Sequence, residues 1–195
     1  MWHKVNPIAF RIPYIKSWKS TWFEDKKTYK DSLALDLKVR EILSKELKGV
    51  PLGDILVSRN QDVIEVVVYT SKASLILGKT GENKEQLVSL LNRKISKKVS
   101  LEIRDIKNPD INAKIVWFSI ANQIEKRMPY KRAIKQAIAK SMEKGAKWIK
   151  VKVGWRLNWA EIARKETFKE WNIPTQTIRS DIDYVTVRAE TVYGT

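Results

Sequence analysis

The sequence predicts an α+β chain in two domains, and three observations carry that reading. Apolar residues recur at helical spacing in several long stretches and at alternate positions in others. Two glycines, Gly78 and Gly81, join a short helical stretch to a longer one. Asn108-Pro109-Asp110 interrupts the pattern mid-chain, because proline ends a strand and Asn and Asp favour a turn.

Each element follows from its residues. Residues 1–27 lack periodicity and form a basic, aromatic arm: Trp2, His3, Lys4, Arg11, Tyr14, Lys16, Trp18, Lys19 and Trp22. Such an arm can pack on its own protein or lie on RNA, rings stacking and cations meeting phosphates. The first domain is expected over 28–107. Leu35, Val39, Ile42, Leu43 and Leu47 mark one face of a helix over about 27–48, which Gly49 and Pro51 end. Strands follow at 54–60 and 62–70, then a helical turn over 72–77, the glycines, and a helix over 82–94 with Leu87, Leu90 and Leu91 on one side. A third strand, 100–106, alternates Leu101 and Ile103 with charged neighbours. The second domain, 108–195, begins with helices over 111–127 and 130–144, closed by Gly145. Strands are expected at 147–155, 160–170 and 181–190, giving two helices on a mostly antiparallel sheet. Ile149, Val151 and Val153 face one way and Lys150 and Lys152 the other, so this sheet has a buried and a basic face.

The 195 residues carry 38 basic against 22 acidic side chains, a net charge of +16, and a pI near 9.9. That excess points to a polyanion, with nucleic acid the default. No apolar run approaches the roughly 18 residues of a membrane span, and the first thirty residues hold no signal-peptide core. Zero cysteines exclude disulfides, thiol nucleophiles and cysteine zinc sites, which fits a cytoplasmic protein.

The turn Gly78-Lys79-Thr80-Gly81 lies between helices in the order α-β-β-α-α-β, the arrangement of a type II KH module, whose G-x-x-G loop clamps about four nucleotides of backbone. Glycines let backbone approach phosphates, Lys79 adds a cation, and the next helix N-terminus offers N–H groups to an anion. G-K-T at 78–80 lacks the spaced glycine of a nucleotide-binding P-loop. In the 130–144 helix, Ile134, Ala137, Ile138 and Ser141 form the inner stripe, while Lys131, Arg132 and Lys135 fall within about a 100° arc on another side, with Lys126 and Arg127 just before. A solvated basic face is the plainer reading; in a chain already read as RNA-binding, a phosphate-tracking surface is the better one. No catalytic constellation is expected, since His3 is the only histidine, and no metal or cofactor site is assigned. Asp181 and Asp183 read as partners for Arg179 and Arg188, and Glu161 as a partner for Arg164.

Lys4-Val5-Asn6-Pro7, Ser20-Thr21-Trp22-Phe23, Ile76-Leu77-Gly78-Lys79-Thr80-Gly81, Lys131-Arg132-Ala133-Ile134-Lys135, Ala160-Glu161-Ile162-Ala163-Arg164 and Ile178-Arg179-Ser180-Asp181-Ile182-Asp183-Tyr184 occur in this order. On these residues the chain resembles the universal third protein of the small ribosomal subunit, in its bacterial form. The resemblance implies an N-terminal type II KH domain and a C-terminal α+β domain in the subunit head. It implies contact with 16S ribosomal RNA and with the tenth and fourteenth small-subunit proteins. It also implies that Lys131, Arg132 and Lys135, with Lys126 and Arg127 less specifically, line the channel by which messenger RNA enters, beside the fourth and fifth proteins. Lys4, Arg11, Lys16, Lys150, Lys152, Arg156, Arg164 and Arg179 are further candidates for ribosomal RNA. No membrane, small-molecule substrate or cofactor is implied. The alternatives are a free KH regulator of particular messengers and a nuclease or lyase; no lysine stands in an apolar pocket that would tune it for the latter.

Two departures stand out. The chain stops at Tyr193-Gly194-Thr195, where the family usually continues into another strand and often a basic tail; a truncated record, an incomplete gene or a natural short form would explain this, and if that strand is missing one sheet edge of the second domain is open. There are also eight Trp and only seven Gly. Trp2, Trp148, Trp155, Trp159 and Trp171 fall where the family pattern carries glycine; Trp18 and Trp22 are tryptophans the family also uses, and Trp117 fits neither group. Trp cannot replace glycine cheaply at a positive-φ turn. The reading adopted is that UGA codons meaning glycine in the source lineage are written here as tryptophan; genuine tryptophans stacking on RNA or filling an interface are the alternative.

Overall fold

A computed structural model describes residues 4–60, 63–78, 81–95, 97–157, 160–192 and 194, with Trp155 described for its backbone only. The chain divides into two compact units, Trp18–Lys107 and a second made of Met1–Ser17 with Asn108–Thr195.

The first unit follows the expected order. Helix α1 (Pro7–Phe10) belongs to the other unit; here β1 (Ser20–Thr21) precedes α2 (Tyr29–Glu46), β2 (Leu52–Asn60), β3 (Val63–Thr70), α3 (Ala73–Leu77), α4 (Glu82–Ile95) and β4 (Lys98–Asp105). The strands form one sheet in the order β1-β2-β3-β4. The β2–β3 pair is antiparallel, and β1 and β4 each run parallel to their neighbour. Val57, Ile64, Val66, Val68, Val99 and Leu101 project from one sheet face against Val39 and Leu43 of α2 and Leu91 and Ile95 of α4. Burying each such side chain contributes about 1.5–3 kcal/mol, so this face holds the unit together.

The arm is not a separate element. Its second half joins this unit through Arg40 on α2, whose guanidinium donates to the Ile55 carbonyl at 2.7 Å, the Lys19 carbonyl at 3.0 Å and Ser20 Oγ at 2.7 Å. Asp36, itself buried, accepts from Ser20 Oγ at 2.6 Å and Arg40 Nε at 3.1 Å. The Trp22 ring then packs 5.3 Å from that of Tyr29 at a 44° tilt, with the Arg59 guanidinium 5.5 Å from its centre.

The second unit contains α1, a 3₁₀ turn (Pro109–Ile111), α5 (Ala113–Glu125), α6 (Tyr130–Glu143), β5 (Ile149–Trp155) and β6 (Arg164–Glu170). The Asn112 side chain caps α5 by accepting from Lys114 N and Ile115 N. Ile120, Tyr130, Ile134 and Ile138 from the helices meet Val151 and Leu157, with Trp117 and Phe168 half-buried beside them. The antiparallel β5–β6 ribbon starts later than expected on its second strand.

Three expectations are corrected here. Residues 181–190 form no strand. Their alternation suits one, yet a strand needs a ladder partner, and a cleft of about 2000 Å³ lined by Trp117, Val151, Val185 and Val187 separates the segment from β5. It is fastened by side chains instead: Asp183 accepts from Ala113 N at 3.0 Å, and Glu125 from Glu190 N at 3.2 Å. Asp181 pairs with Lys16 at 2.7 Å, so neither aspartate takes Arg179 or Arg188; Arg164 pairs with Glu166 at 3.3 Å rather than with Glu161. Arg11, expected on RNA, is fully buried. Its guanidinium donates to the carbonyls of Pro7 at 2.9 Å, Thr175 at 3.1 Å, Thr177 at 2.9 Å and Ser180 at 2.7 Å, and more weakly to Pro174 at 3.4 Å. Nε, Nη1 and Nη2 all donate to backbone carbonyls, and with the side chain fully buried the cation is out of reach of a phosphate.

The tryptophans expected to stand in place of glycine differ in their surroundings. Trp171, just after β6, has φ +60° and is 74% exposed. A bulky side chain in the left-handed region is an outlier, whereas glycine sits there freely. Trp148 is half-buried where the chain enters β5. Trp2 and Trp159 and the Trp155 side chain lie outside the described residues.

Two outcomes are expected. Arg11→Ala leaves the carbonyls of residues 174–180 without their donor and lowers unfolding free energy by on the order of 3 kcal/mol; Arg11→Lys recovers less than half, since an ammonium has three donors and no fork. Denaturant titration of both variants checks this. Trp171→Gly raises stability by about 1 kcal/mol by the same assay. Peptide mass spectrometry of the protein from its source cells reads glycine at 148, 155, 159 and 171.

Candidate nucleic-acid interfaces

The candidate anion-binding residues fall on two surfaces, one in each unit. In the first, α3 ends at Gly78, with φ +75° and ψ 179°, and Gly81 follows with φ +87°. An extended ψ combined with positive φ is essentially confined to glycine. A Cβ on Gly78 would also come within 3.0 Å of the Asn83 side chain. Both glycines are therefore required by the turn itself; Lys79 and Thr80 lie outside the described residues. Asp105 fastens α3 from below, accepting from Ala73 N at 2.9 Å.

The helix after the loop departs from expectation. Its first turn carries Glu82 and Glu85, and the N–H groups of Lys84 and Glu85 are taken by the Gly81 carbonyl. Carboxylates at the positive end of a helix compete with any bound anion. The helix start therefore offers an anion less than the sequence predicts. Nearby, the Glu102 carboxyl is held below the usual range, first by the hydrogen bond from Arg104 and then by the charges of Arg104 and Lys84.

The second surface is the start of α6. Lys131, Arg132 and Lys135 are exposed, while Ala133, Ile134 and Ile138 behind them are buried, as the spacing predicts. The helix begins without a side-chain cap, after Pro129, and no acidic residue stands in its first turn. Cations occupy that turn instead, which opposes the helix dipole by about 0.3–1 kcal/mol per charge. As at the start of α4, a carbonyl takes two of the first N–H groups, Arg132 N and Ala133 N bonding Pro129 O at 3.0 and 3.1 Å, so what distinguishes this helix start for an anion is its two cations and the absence of acids. Lys131 Nζ hovers 6.0 Å from the Tyr130 ring, and that ring's hydroxyl donates to Glu166 at 2.9 Å, tying the helix start to β6.

Just upstream, α5 and α6 end in the same way with different residues. In α6, Gly145 takes φ +96°, its N–H meets the Met142 carbonyl at 3.0 Å, and Ala146 N meets Ser141 O at 3.1 Å. In α5, Arg127 takes φ +62°, its N–H meets the Ile124 carbonyl at 2.9 Å, and Met128 N meets Gln123 O at 3.0 Å. Both are Schellman closures, in which the left-handed position normally goes to glycine. Arg127 holds it at a cost, exposed beside Lys126 and ahead of Lys131. Sequence spacing located Arg127 but gave no sign of this conformation.

Residues 38–111 match the family described as KH domain, and residues 120–195 match Ribosomal protein S3, C-terminal domain. Along its whole length the chain is 39% identical to small ribosomal subunit protein uS3 of Hahella chejuensis, covering 86% of that protein. It is 40% identical to the uS3 of Hydrogenovibrio crunogenus, covering 85% of it, and 42% identical to that of Acinetobacter baylyi, covering 78%. The chain belongs to the ribosomal protein S3 family.

Against the family reading, the other candidates sort by exposure. Lys4, Lys150, Lys152, Arg156 and Arg179 are exposed; Arg164 is exposed and shares Glu166; Lys16 is partly covered and paired with Asp181. Arg11 is withdrawn from the interface by burial. No helix is long and apolar enough to cross a membrane, and no group of three or more His, Cys, Asp or Glu converges, among the described residues.

Arg127→Gly is expected to stabilise the protein by about 0.5–1 kcal/mol, by removing the left-handed strain, while weakening RNA binding. Thermal unfolding and RNA titration of the one variant, moving in opposite directions, check both parts.

Proposed function

We propose that the protein is a structural constituent of the small ribosomal subunit that binds 16S ribosomal RNA and, through α6, lines the channel by which messenger RNA enters. The observation that carries the α6 part is the uncapped helix start with Lys131 and Arg132 in place of acids. A surface whose cations oppose their own helix dipole gains most when a phosphate arrives. The KH loop contributes a second contact for RNA backbone. The fourth and fifth small-subunit proteins would flank the channel, with the tenth and fourteenth beside the protein in the head.

Any unwinding of messenger on this surface is passive. Exposed cations hold separated single strands by their phosphates, and translocation elsewhere supplies the work. The free KH regulator is the second reading, favoured by the positive-φ glycines at 78 and 81, a conformation that lets backbone approach phosphates.

Small subunits purified from source cells are expected to contain this chain in stoichiometric amount; a chain abundant in the cells and missing from the subunits overturns the ribosomal reading in favour of the regulator. Lys131→Gln, Arg132→Gln and Lys135→Gln together are expected to reduce the salt slope of single-stranded RNA binding by about 2, at about 0.7 for each phosphate no longer neutralised. Subunits carrying that variant stall more on hairpin-containing messengers than on unstructured ones.

A further inference from the structure

The outer face of the β5–β6 ribbon carries a charge pattern visible only once the strands are in register. Lys150, Lys152 and Gly154 point away from the core on β5, opposite Lys169, Thr167 and Lys165 on β6. Lys150, Lys152, Lys165 and Lys169 are exposed. No acidic residue shares this face. The ribbon's carboxylates, Glu166 and Glu170, occupy the other register, opposite Val153 and Ile149.

Lys150 and Lys169 stand directly across from each other, a like-charge pair that weakens a two-stranded ribbon. Among the described residues no ion pair neutralises any of the four lysines; Lys169 reaches only the Asn172 amide oxygen, at 3.5 Å. Gly154 keeps the face low: a Cβ there would sit 3.3 Å from Lys165 Cγ, so the Lys165 stem lies close over the bare backbone. On β5 the two lysines stand about 6.8 Å apart, two residues at about 3.4 Å each, and on β6 about twice that, with Thr167 between them. Between Lys150 and Lys165 the face carries only lysines, Thr167 and Gly154, with the exposed Trp171 just past its end.

We propose that this lysine face is a second RNA site of the unit, which takes the sugar–phosphate backbone without reading bases. It rests on the reading of the protein as RNA-binding and adds a place for a second RNA segment. Ile134 and Ile138 of α6 pack with Val151 in the core on the inner side of the ribbon, so the lysines look away from the helix layer. An RNA on Lys150, Lys152, Lys165 and Lys169 leaves the α6 cations open to another.

The test uses the full chain already carrying K131Q/R132Q/K135Q, which removes the α6 surface, with a uridine oligonucleotide as probe. Adding K150Q/K169Q is expected to lower the slope of log affinity against log salt by about 1.4, at about 0.7 per phosphate. The melting temperature is expected to hold or rise, because an opposed charge pair has gone, and K150R/K169R is expected to keep the full slope. An unchanged slope in K150Q/K169Q overturns the proposal. So does an equal loss in K150R/K169R, which would make the effect one of folding, and so does a loss seen on phosphatidylserine vesicles with RNA binding intact. If K131Q/R132Q/K135Q alone weakens binding and the ribbon changes do nothing further, this inference fails and the α6 reading stands; the reverse pattern separates them the other way.

Discussion

An arginine guanidinium held by backbone carbonyls is the interaction on which the course of the N-terminal segment depends. Arg11 gathers carbonyls from Pro7 and from residues 174–180, and thereby fixes both the beginning and the late part of the second unit. Arg40 does the corresponding work in the first unit, drawing Lys19, Ser20 and Ile55 onto α2. Neither segment has an apolar face broad enough to dock by burial. A planar group with five fixed donors can hold irregular chain that no ladder or helix would satisfy. The difference between the two lies in their counter-charge: Arg40 has Asp36, whereas the acceptors around Arg11 are carbonyls. A buried cation compensated by dipoles alone depends on all of them at once.

With those segments fixed, the rest is a separation of burial from charge. Each unit is two layers thick, with one sheet face and one stripe per helix enclosing aliphatic side chains. What remains outside is dominated by cations, +16 in all. Their mutual repulsion is offset by burial in the two cores and by few ion pairs, since exposed pairs such as Lys45–Glu41 contribute little. The free protein is thus an incomplete electrostatic object, and polyanion binding relieves what folding leaves in place.

Much of this was legible in the sequence. Val39 and Leu43, Leu91, and Ile134 and Ile138 announce helix stripes by period alone, and the glycines at 78 and 81 announce a turn needing positive φ. What failed to show depended on partners distant in the chain. Arg11 reads like any basic residue of an aromatic arm until carbonyls about 165 positions away are found around it. Residues 181–190 alternate as well as β6 does, but alternation reports which side chains are alike and not whether a ladder partner exists. Lys165 and Lys169 carry no motif; only the register with β5 makes a surface of them.

The places where local rules are broken then gain meaning from one another. Arg127 holds a left-handed position that Gly145 fills without strain at the equivalent closure of α6. Lys131 and Arg132 oppose the dipole of their helix, and Lys150 opposes Lys169 across a ribbon. Each costs the folded chain a fraction of a kcal/mol to about 1 kcal/mol, and each is exposed rather than buried. Packing cannot be the reason, because none of these side chains is in a core. Trp171 is the contrast: it shares the left-handed geometry but is uncharged and largely exposed, so neither packing nor charge offsets its strain. Strain that coincides with unneutralised positive charge recurs on both layers of the second unit. A polyanion bound on each side removes the electrostatic part of that cost in both layers, which a single RNA segment on α6 would leave half undone.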